Sequence, residues 1–403
     1  MAILNPEAET AAVKAGAGED KHRQLAEAGY AHVEGAPAPL PLELPHFSLK
    51  DLRTAIPPHC FERSFFWSTY YMIKNLLTCA ALFYAATFIE SETLALPTSA
   101  QYALWGVYWF FQGSYLTGIW VIAHECGHQA YCASEVINNA IGLVLHSALL
   151  VPYHSWRISH RKHHSNTGSC ENDEVFVPVT RSQVAPTWNQ TLEDMPLYQL
   201  YRISFMLLVG WMPGYLFFNA TGPKKYYGKP RSHFNPNSAI YSPRERWMIV
   251  LSDVFMVLAL ASLAALTYYL SFATMVKFYF VPYMIVNAYL VLITYLQHTD
   301  TYIPHFREGE WSWLRGALCT VDRSFGGYLD SVVHHIVDTH VCHHIFSKMP
   351  FYHCHEATEA IKPLLGRFYL KDATPVPLAL WRSFRYCKFI EDDGKIVFYK
   401  NRV

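Results

Sequence analysis

Charged side chains are scarce. Asp, Glu, Lys and Arg make up 16% of the 403 residues, well below the ~25% of an average soluble domain. That deficit points to a membrane protein. The charges present cancel to a formal net charge of zero, so nothing in the charge balance suggests nucleic-acid binding. The nine cysteines are scattered, odd in number and without a CxxC pair; thiols on the cytosolic side stay reduced. No internal repeat appears beyond two short histidine motifs. No long apolar run opens the chain. Met1 to about Lys50 is rich in Ala, Glu, Gly and Pro and reads as a flexible cytosolic tail without a signal peptide.

What the chain has instead is apolar bulk and histidine. Hydrophobic residues are 52%, aromatics 16%, and there are 21 histidines. Three clusters stand out: His124-Glu125-Cys126-Gly127-His128, His160-Arg161-Lys162-His163-His164 and His340-Val341-Cys342-His343-His344. Residues three and four apart share one face of a helix. His340, His343 and His344 therefore aim together, as do His160, His163 and His164, and His124 with His128. The same geometry turns Cys126 and Cys342 away from the histidine faces; Cys170 has no assigned place. Imidazole is the commonest metal ligand. Eight imidazoles exceed one tetrahedral zinc, which takes four ligands, and suit two metals. His298, in Gln297-His298-Thr299, is a candidate ninth ligand. His146 and His154 are expected to be structural.

The first cluster also fits the HExxH zinc-protease motif, with Glu125 as general base. That reading leaves both HxxHH clusters unexplained. A histidine-rich metal transporter needs ligands near the bilayer midplane, whereas these clusters sit at the ends of apolar stretches.

A membrane crossing needs ~20 apolar residues. The stretches Phe65 to Ile89, Tyr102 to Ala123, Trp247 to Leu270 and Phe278 to Leu296 qualify. The turn Glu90 to Gln101 has acids and no Lys or Arg, so it is read as lumenal and the tail as cytosolic. Ile137 to Pro152 is short. A crossing there would part the first two clusters, so it is expected to be re-entrant or in-plane. Ile203 to Thr221 is broken by Gly210, Pro213 and Gly214 and is expected not to span, because parity must return the third cluster to the cytosol. The basic loop Lys224 to Arg246 fits that side; Lys277, beside the lumenal turn Ser271 to Val276, fits it poorly. Ser48 and Asp51 mark a short surface helix ended by Pro57-Pro58. The expected fold is an all-α multi-pass membrane protein. It has four transmembrane helices, re-entrant or in-plane segments and a cytosolic histidine-rich cap. Its parts are a tail, 1–50, and one domain, 51–403.

HECGH, HRKHH and HVCHHIFSKMPFYH are joined by Val151-Pro-Tyr-His-Ser-Trp-Arg-Ile-Ser-His160, Asp173-Glu-Val-Phe176, Val321-Asp-Arg-Ser-Phe325 and Asp338-Thr-His340. Together they resemble the membrane fatty-acid desaturases, and among these the Δ12 (omega-6) oleate desaturases. The likeness runs from about Leu52 to the C-terminus. The Δ12 choice rests on Glu125 in the first cluster and on Phe346-Ser-Lys-Met-Pro350. Omega-3 desaturases, which more often carry Asp in the first cluster, and hydroxylases are the alternatives.

The resemblance implies two iron ions that activate O2 to remove two hydrogens from a methylene pair of a membrane lipid acyl chain. It carries the ligands onto His124, His128, His160, His163, His164, His340, His343 and His344, and by a matching motif His298. No catalytic side chain beyond the ligands is implied. Asp173 and Asp338 are candidate partners for imidazole N–H groups. A narrow tunnel must hold the chain; Trp105, Trp109 and Tyr115 could line it, but core packing or a place in the membrane aromatic belt is the expected role. No flavin, nicotinamide or cytochrome fingerprint is present, so electrons are expected from cytochrome b5 and its NADH-dependent reductase. Tyr399-Lys400-Asn401-Arg402-Val403 resembles an aromatic retrieval signal, which places the protein in the endoplasmic reticulum with both termini and the clusters cytosolic.

Overall fold

The computed structural model describes residues 23–403; the first part of the expected tail lies outside them. Counting α-helices of six residues or more, the chain runs α1 (Leu49–Ala55), α2 (Phe65–Ala86), α3 (Thr98–Gly127), α4 (Glu135–Ala148), α5 (Tyr153–Asn166) and α6 (Pro196–Val209). It continues through α7 (Arg246–Leu270), α8 (Val281–His298), α9 (Gly327–Val332), α10 (His340–Ile345), α11 (Phe351–Leu365) and α12 (Val376–Tyr386). Two short strands, β1 (His305–Phe306) and β2 (Ile396–Val397), pair antiparallel with His305 opposite Val397. Among the described residues the remainder is helix, turn and irregular backbone with isolated β-bridges.

Local chemistry sets many of the boundaries. The α1 start is a reciprocal cap: the Ser48 hydroxyl accepts from the Asp51 N–H, and the Asp51 carboxylate accepts from the Ser48 N–H at 2.8 Å. Two backbone donors are thereby satisfied. Pro57 and Pro58 follow and stop the helix. Between α7 and the helical run that leads into α8, Ser271 takes a positive φ of 83° and its hydroxyl caps the next turn.

α3 is the axis of the molecule, with α2, α4 and α8 packed along it. Two glycines allow that closeness. A Cβ on Gly113 would stand 2.5 Å from Ile285 of α8, and one on Gly118 would stand 2.3 Å from the Val332 carbonyl oxygen. Among the described residues two helices are both long and apolar enough to cross a membrane, Arg246–Leu270 and Phe272–His298. α2 and α3 match the other expected crossings in length but carry more polar side chains. α4 and α5 meet at a 107° bend, at the end of the stretch Ile137 to Pro152. The Ile203 to Thr221 stretch is broken too: α6 ends at Val209, and Met212 leaves helical geometry before Pro213.

Lys277, the misfit in the charge pattern, is paired with Glu90 at 2.5 and 2.7 Å. The turn after α2 is thereby tied to the turn before α8. Trp105 donates to the same Glu90 carboxylate at 2.9 Å, and Trp109 donates to the Lys277 carbonyl at 2.8 Å. Both indoles are committed to packing at that end. Tyr115 packs against Tyr328.

Among the described residues there are two large apolar clusters. One surrounds α3 and includes Trp120, Ile122, Cys126, Tyr153, Trp156 and Leu290. The other fills the cap and includes Leu52, Tyr302, Phe306, Val341, Cys342 and Ile361. The cap is also pinned by a buried ionic group. Arg323 sits 3.3 Å from Asp300 and 2.7 Å from Asp372, and Arg382 bridges the same two carboxylates. Part of the stretch expected as tail lies against this cap: the Leu40 N–H donates to the Tyr302 carbonyl, and Leu40 and Phe47 are buried.

Candidate metal centre

The first histidine cluster lies at the end of α3, the second on α5, and the third is α10 itself. His298 ends α8. These four elements meet where the α3 core adjoins the cap, and all nine histidines converge there. They separate into two groups. Ligand atoms of His124, His128, His160, His164 and His343 lie within 4.8 Å of one another, and those of His163, His298 and His344 do likewise. His340 joins the second group, its Nε2 being 3.2 Å from that of His298. The groups touch through His164 and His344, whose rings stack at 4.1 Å.

The donor atoms do not satisfy each other. Nε2 of His124 is 2.9 Å from that of His160 and 3.2 Å from that of His128, while Nε2 of His160 is also 3.1 Å from that of His164. A ring nitrogen carries one proton or one lone pair, so this chain of four cannot be hydrogen-bonded throughout. His343 Nε2 and His344 Nε2 are buried without a hydrogen-bond partner. Metal–nitrogen bonds of ~2.0–2.1 Å set neighbouring ligands roughly 3.0–3.4 Å apart, which matches these separations. The donor set therefore fits a pair of first-row transition ions. Burial, reinforced by the neighbouring rings, holds His160, His164, His340 and His344 well below the ordinary imidazole value, and burial brings His343 to about 3. Neutral rings are what a metal requires.

Behind the rings stand their supports. The Asp173 carboxylate accepts from His163 Nδ1 at 2.8 Å and from the N–H groups of Gly168, Val175 and Phe176. Burial raises its affinity for a proton, but His163 and these donors outweigh burial and keep it below the usual carboxylate range. Asp338 has a different place: it pairs with His335 and His355, not with the third cluster. Sequence reasoning missed Thr167, whose hydroxyl is 3.3 Å from His344 Nδ1. It also missed Trp156, stacked on His160, and Phe176, stacked on His298. Nothing in their spacing marks them.

Glu125 is buried with one carboxylate oxygen 3.3 Å from His124 Nδ1 and 4.0 Å from His343 Nδ1; the other accepts from the Phe351 N–H at 3.2 Å. It faces the back of the rings, opposite the converging Nε2 atoms of His124. A protease general base must reach water on the metal side, so this geometry opposes the HExxH reading. Cys126 and Cys342 are buried in the two apolar clusters, and Cys170 packs with Ile390 and Val397. His146 lies 3.3 Å from the Trp120 carbonyl, and the His154 N–H donates to Ser252.

An apolar cavity of about 590 Å³ ends on the histidines. His124, His160, His163, His298 and His340 form one part of its wall; Thr117, Trp211, Phe218, Leu290 and Val291 are in the rest. Much of that wall comes from the broken segment after α6, which sequence reasoning placed outside the bilayer count without giving it a task. Trp105, Trp109 and Tyr115 are not part of it.

Residues 101–374 match the profile of the fatty acid desaturase family. The chain is 49% identical over 372 residues to a Delta(12) fatty acid desaturase of Mortierella alpina, covering 89% of this chain and 92% of that one. It is 49% identical over 357 residues to a Delta(12)-acyl-lipid-desaturase of Punica granatum, covering 88% and 90%. It is 46% identical over 368 residues to the omega-6 fatty acid desaturase, endoplasmic reticulum isozyme 1, of Glycine max, covering 90% and 92%.

Proposed function

Because this chain belongs to the fatty acid desaturase family, an oxidoreductase family acting on lipid acyl chains, we propose that it introduces the Δ12 double bond, converting oleoyl to linoleoyl groups. The observation that carries this reading is the apolar cavity running onto two groups of converging imidazoles.

His124, His128, His160, His164 and His343 would hold one iron ion, and His163, His298, His340 and His344 would hold the other. O2 activation and hydrogen removal from an unactivated methylene pair would be the chemistry supplied there. The protein's own residues do the rest. Asp173 fixes the tautomer of His163, leaving Nε2 as the ligand atom. Apolar walls exclude water and hold the acyl chain extended, so that depth of insertion selects the bond presented to the histidines. No side chain is needed as a separate acid or base.

In the membrane we place four crossings, at α2, α3, α7 and α8. A crossing of ~30 Å needs ~20 residues at 1.5 Å each, and α2 and α3 are long enough. The cap, both termini and the histidines then face the cytosol of the endoplasmic reticulum. Residues 51–403 form the desaturase unit, preceded by the 1–50 segment. Electrons come from cytochrome b5 and its NADH-dependent reductase; exposed Lys224, Lys225, Lys229 and Arg244 suit an acidic partner, and docking should weaken with salt. The endoplasmic-reticulum placement draws on the named relatives, because Tyr399 packs edge-on against His305 and so is not free as a retrieval signal.

The test is a lipid profile of a host that makes oleate and no linoleate. Linoleate should appear with the wild-type chain and vanish with His343→Ala. A host that gains only a hydroxy acid or an omega-3 bond assigns one of the alternative activities. Glycosylation tags at Asn235 and after Val403 should stay unmodified, and modification of either overturns the topology.

A further inference from the structure

Asp338 leaves the metal centre and forms a cluster of its own. His335 Nδ1 is 3.2 Å from both Asp338 carboxylate oxygens, His355 Nε2 is 3.1 Å from Asp338 Oδ2, and the two ring nitrogens are 3.1 Å apart. No placement of protons satisfies all these contacts. If both rings donate to the carboxylate, two N–H groups face each other. If one ring donates to the other, the acceptor's lone pair points at the carboxylate. A cation at the centre removes the conflict. Three ligands of a tetrahedral ion with bonds of ~2.0–2.1 Å stand roughly 3.3 Å apart, close to the separations here. The cluster is open to solvent, with side-chain exposures of 37%, 18% and 54% for His335, Asp338 and His355. An ion can therefore enter, and water can take the fourth position. The backbone holds the set in place: His334 and His335 are consecutive non-glycine residues at positive φ, 57° and 60°, and His334 Nε2 is anchored 2.9 Å from Asn75 Nδ2.

We infer that His335, Asp338 and His355 form a third metal site, separate from the nine-histidine centre, for a divalent transition ion. Two imidazoles and one carboxylate are a ligand set that zinc takes with water in the fourth position. The ion ties the turn 335–338, which leads directly into α10, to the outer face of α11. It is thus a clamp on the segment that presents the third histidine cluster.

The test uses purified full-length protein, washed with a mild chelator and titrated with Zn2+ alone, with bound metals counted by mass spectrometry. The wild type should take up one zinc per chain in addition to its iron. His355→Gln and His335→Gln should each lose that zinc and keep the iron; the iron count tests the desaturase reading separately and shows that the variant is folded. His355 is half exposed on α11, so the Gln variant has room. Co2+ should give the visible absorption of a tetrahedral ion with the wild type and not with His355→Gln. His59→Ala, at a separate group with Cys60, His353 and Glu356, should leave the zinc in place. A wild type that binds no zinc, or a zinc retained by both Gln variants, overturns the inference.

Discussion

Nδ1 of His163 lies 2.8 Å from Oδ1 of Asp173, with both side chains buried. The carboxylate is the only acid contact that orients a ring of the second histidine group from behind among the described residues, and it also gathers three backbone N–H groups. Asp173→Ala should therefore lower iron occupancy and linoleate output roughly 10–100-fold. Asp173→Asn keeps an acceptor and should fall less. Iron content and lipid profile, measured on the same preparations, check this; equal and full activity in both variants would count against Asp173 as a positioning residue.

His298 has no cluster of its own in the sequence, yet its Nε2 stands between those of His163 and His340, at 3.3 and 3.2 Å. His298→Ala should bring iron from two ions per chain toward one and cut linoleate by roughly 100-fold or more, beyond the loss seen for supporting residues. His146→Ala, equally buried but placed against Trp120, should retain both ions.

Cavity shape can be tested apart from the metal. Val291, on α8, lines the apolar cavity. Val291→Trp should reduce linoleate at least ~10-fold by occupying acyl space, with iron unchanged, since pocket selectivity rests on volume. Loss of iron in that variant would show a folding defect, and undiminished linoleate would place the substrate elsewhere.

Asp372 gives a pH-dependent prediction. Burial alone would raise its proton affinity, but Arg323, Thr374 and Arg382 overcome that and bring it to about 2, from an ordinary value of 3.8. Its folded form thus favours the ionised carboxylate. The stability it contributes is full above pH ~4 and fades as pH falls through about 2. Asp372→Asn should cost about 3–5 kcal/mol at neutral pH, because it leaves a buried Arg323 short of a partner. Thermal unfolding in detergent should show a gap between wild type and variant that is constant above pH ~4 and narrows below it. A gap unchanged down to pH 2 would remove the ion pair as its cause.

Helix positions were legible because apolar runs and their breaks are local facts. The α1 cap at Ser48 and Asp51 and the ends of α7 follow from residues within a few positions. The expectation that Ile137 to Pro152 is re-entrant or in-plane rests on its length, too short for a crossing. The pairing of Lys277 could not be read locally, because its partner, Glu90, is 187 positions away. Asp338 was misassigned for the same reason: its proximity to His340 in sequence says nothing about His355, which captures it from α11.

By itself the sequence determined which histidines share a helix face, since helical periodicity acts over four residues. Tertiary structure alone decided how the nine histidines divide between two groups, which acid backs His163, and that the broken segment after α6 walls the cavity. Those are relations between elements far apart along the chain, helped by how close α8 and α9 can approach α3 at Gly113 and Gly118, and no local pattern encodes them.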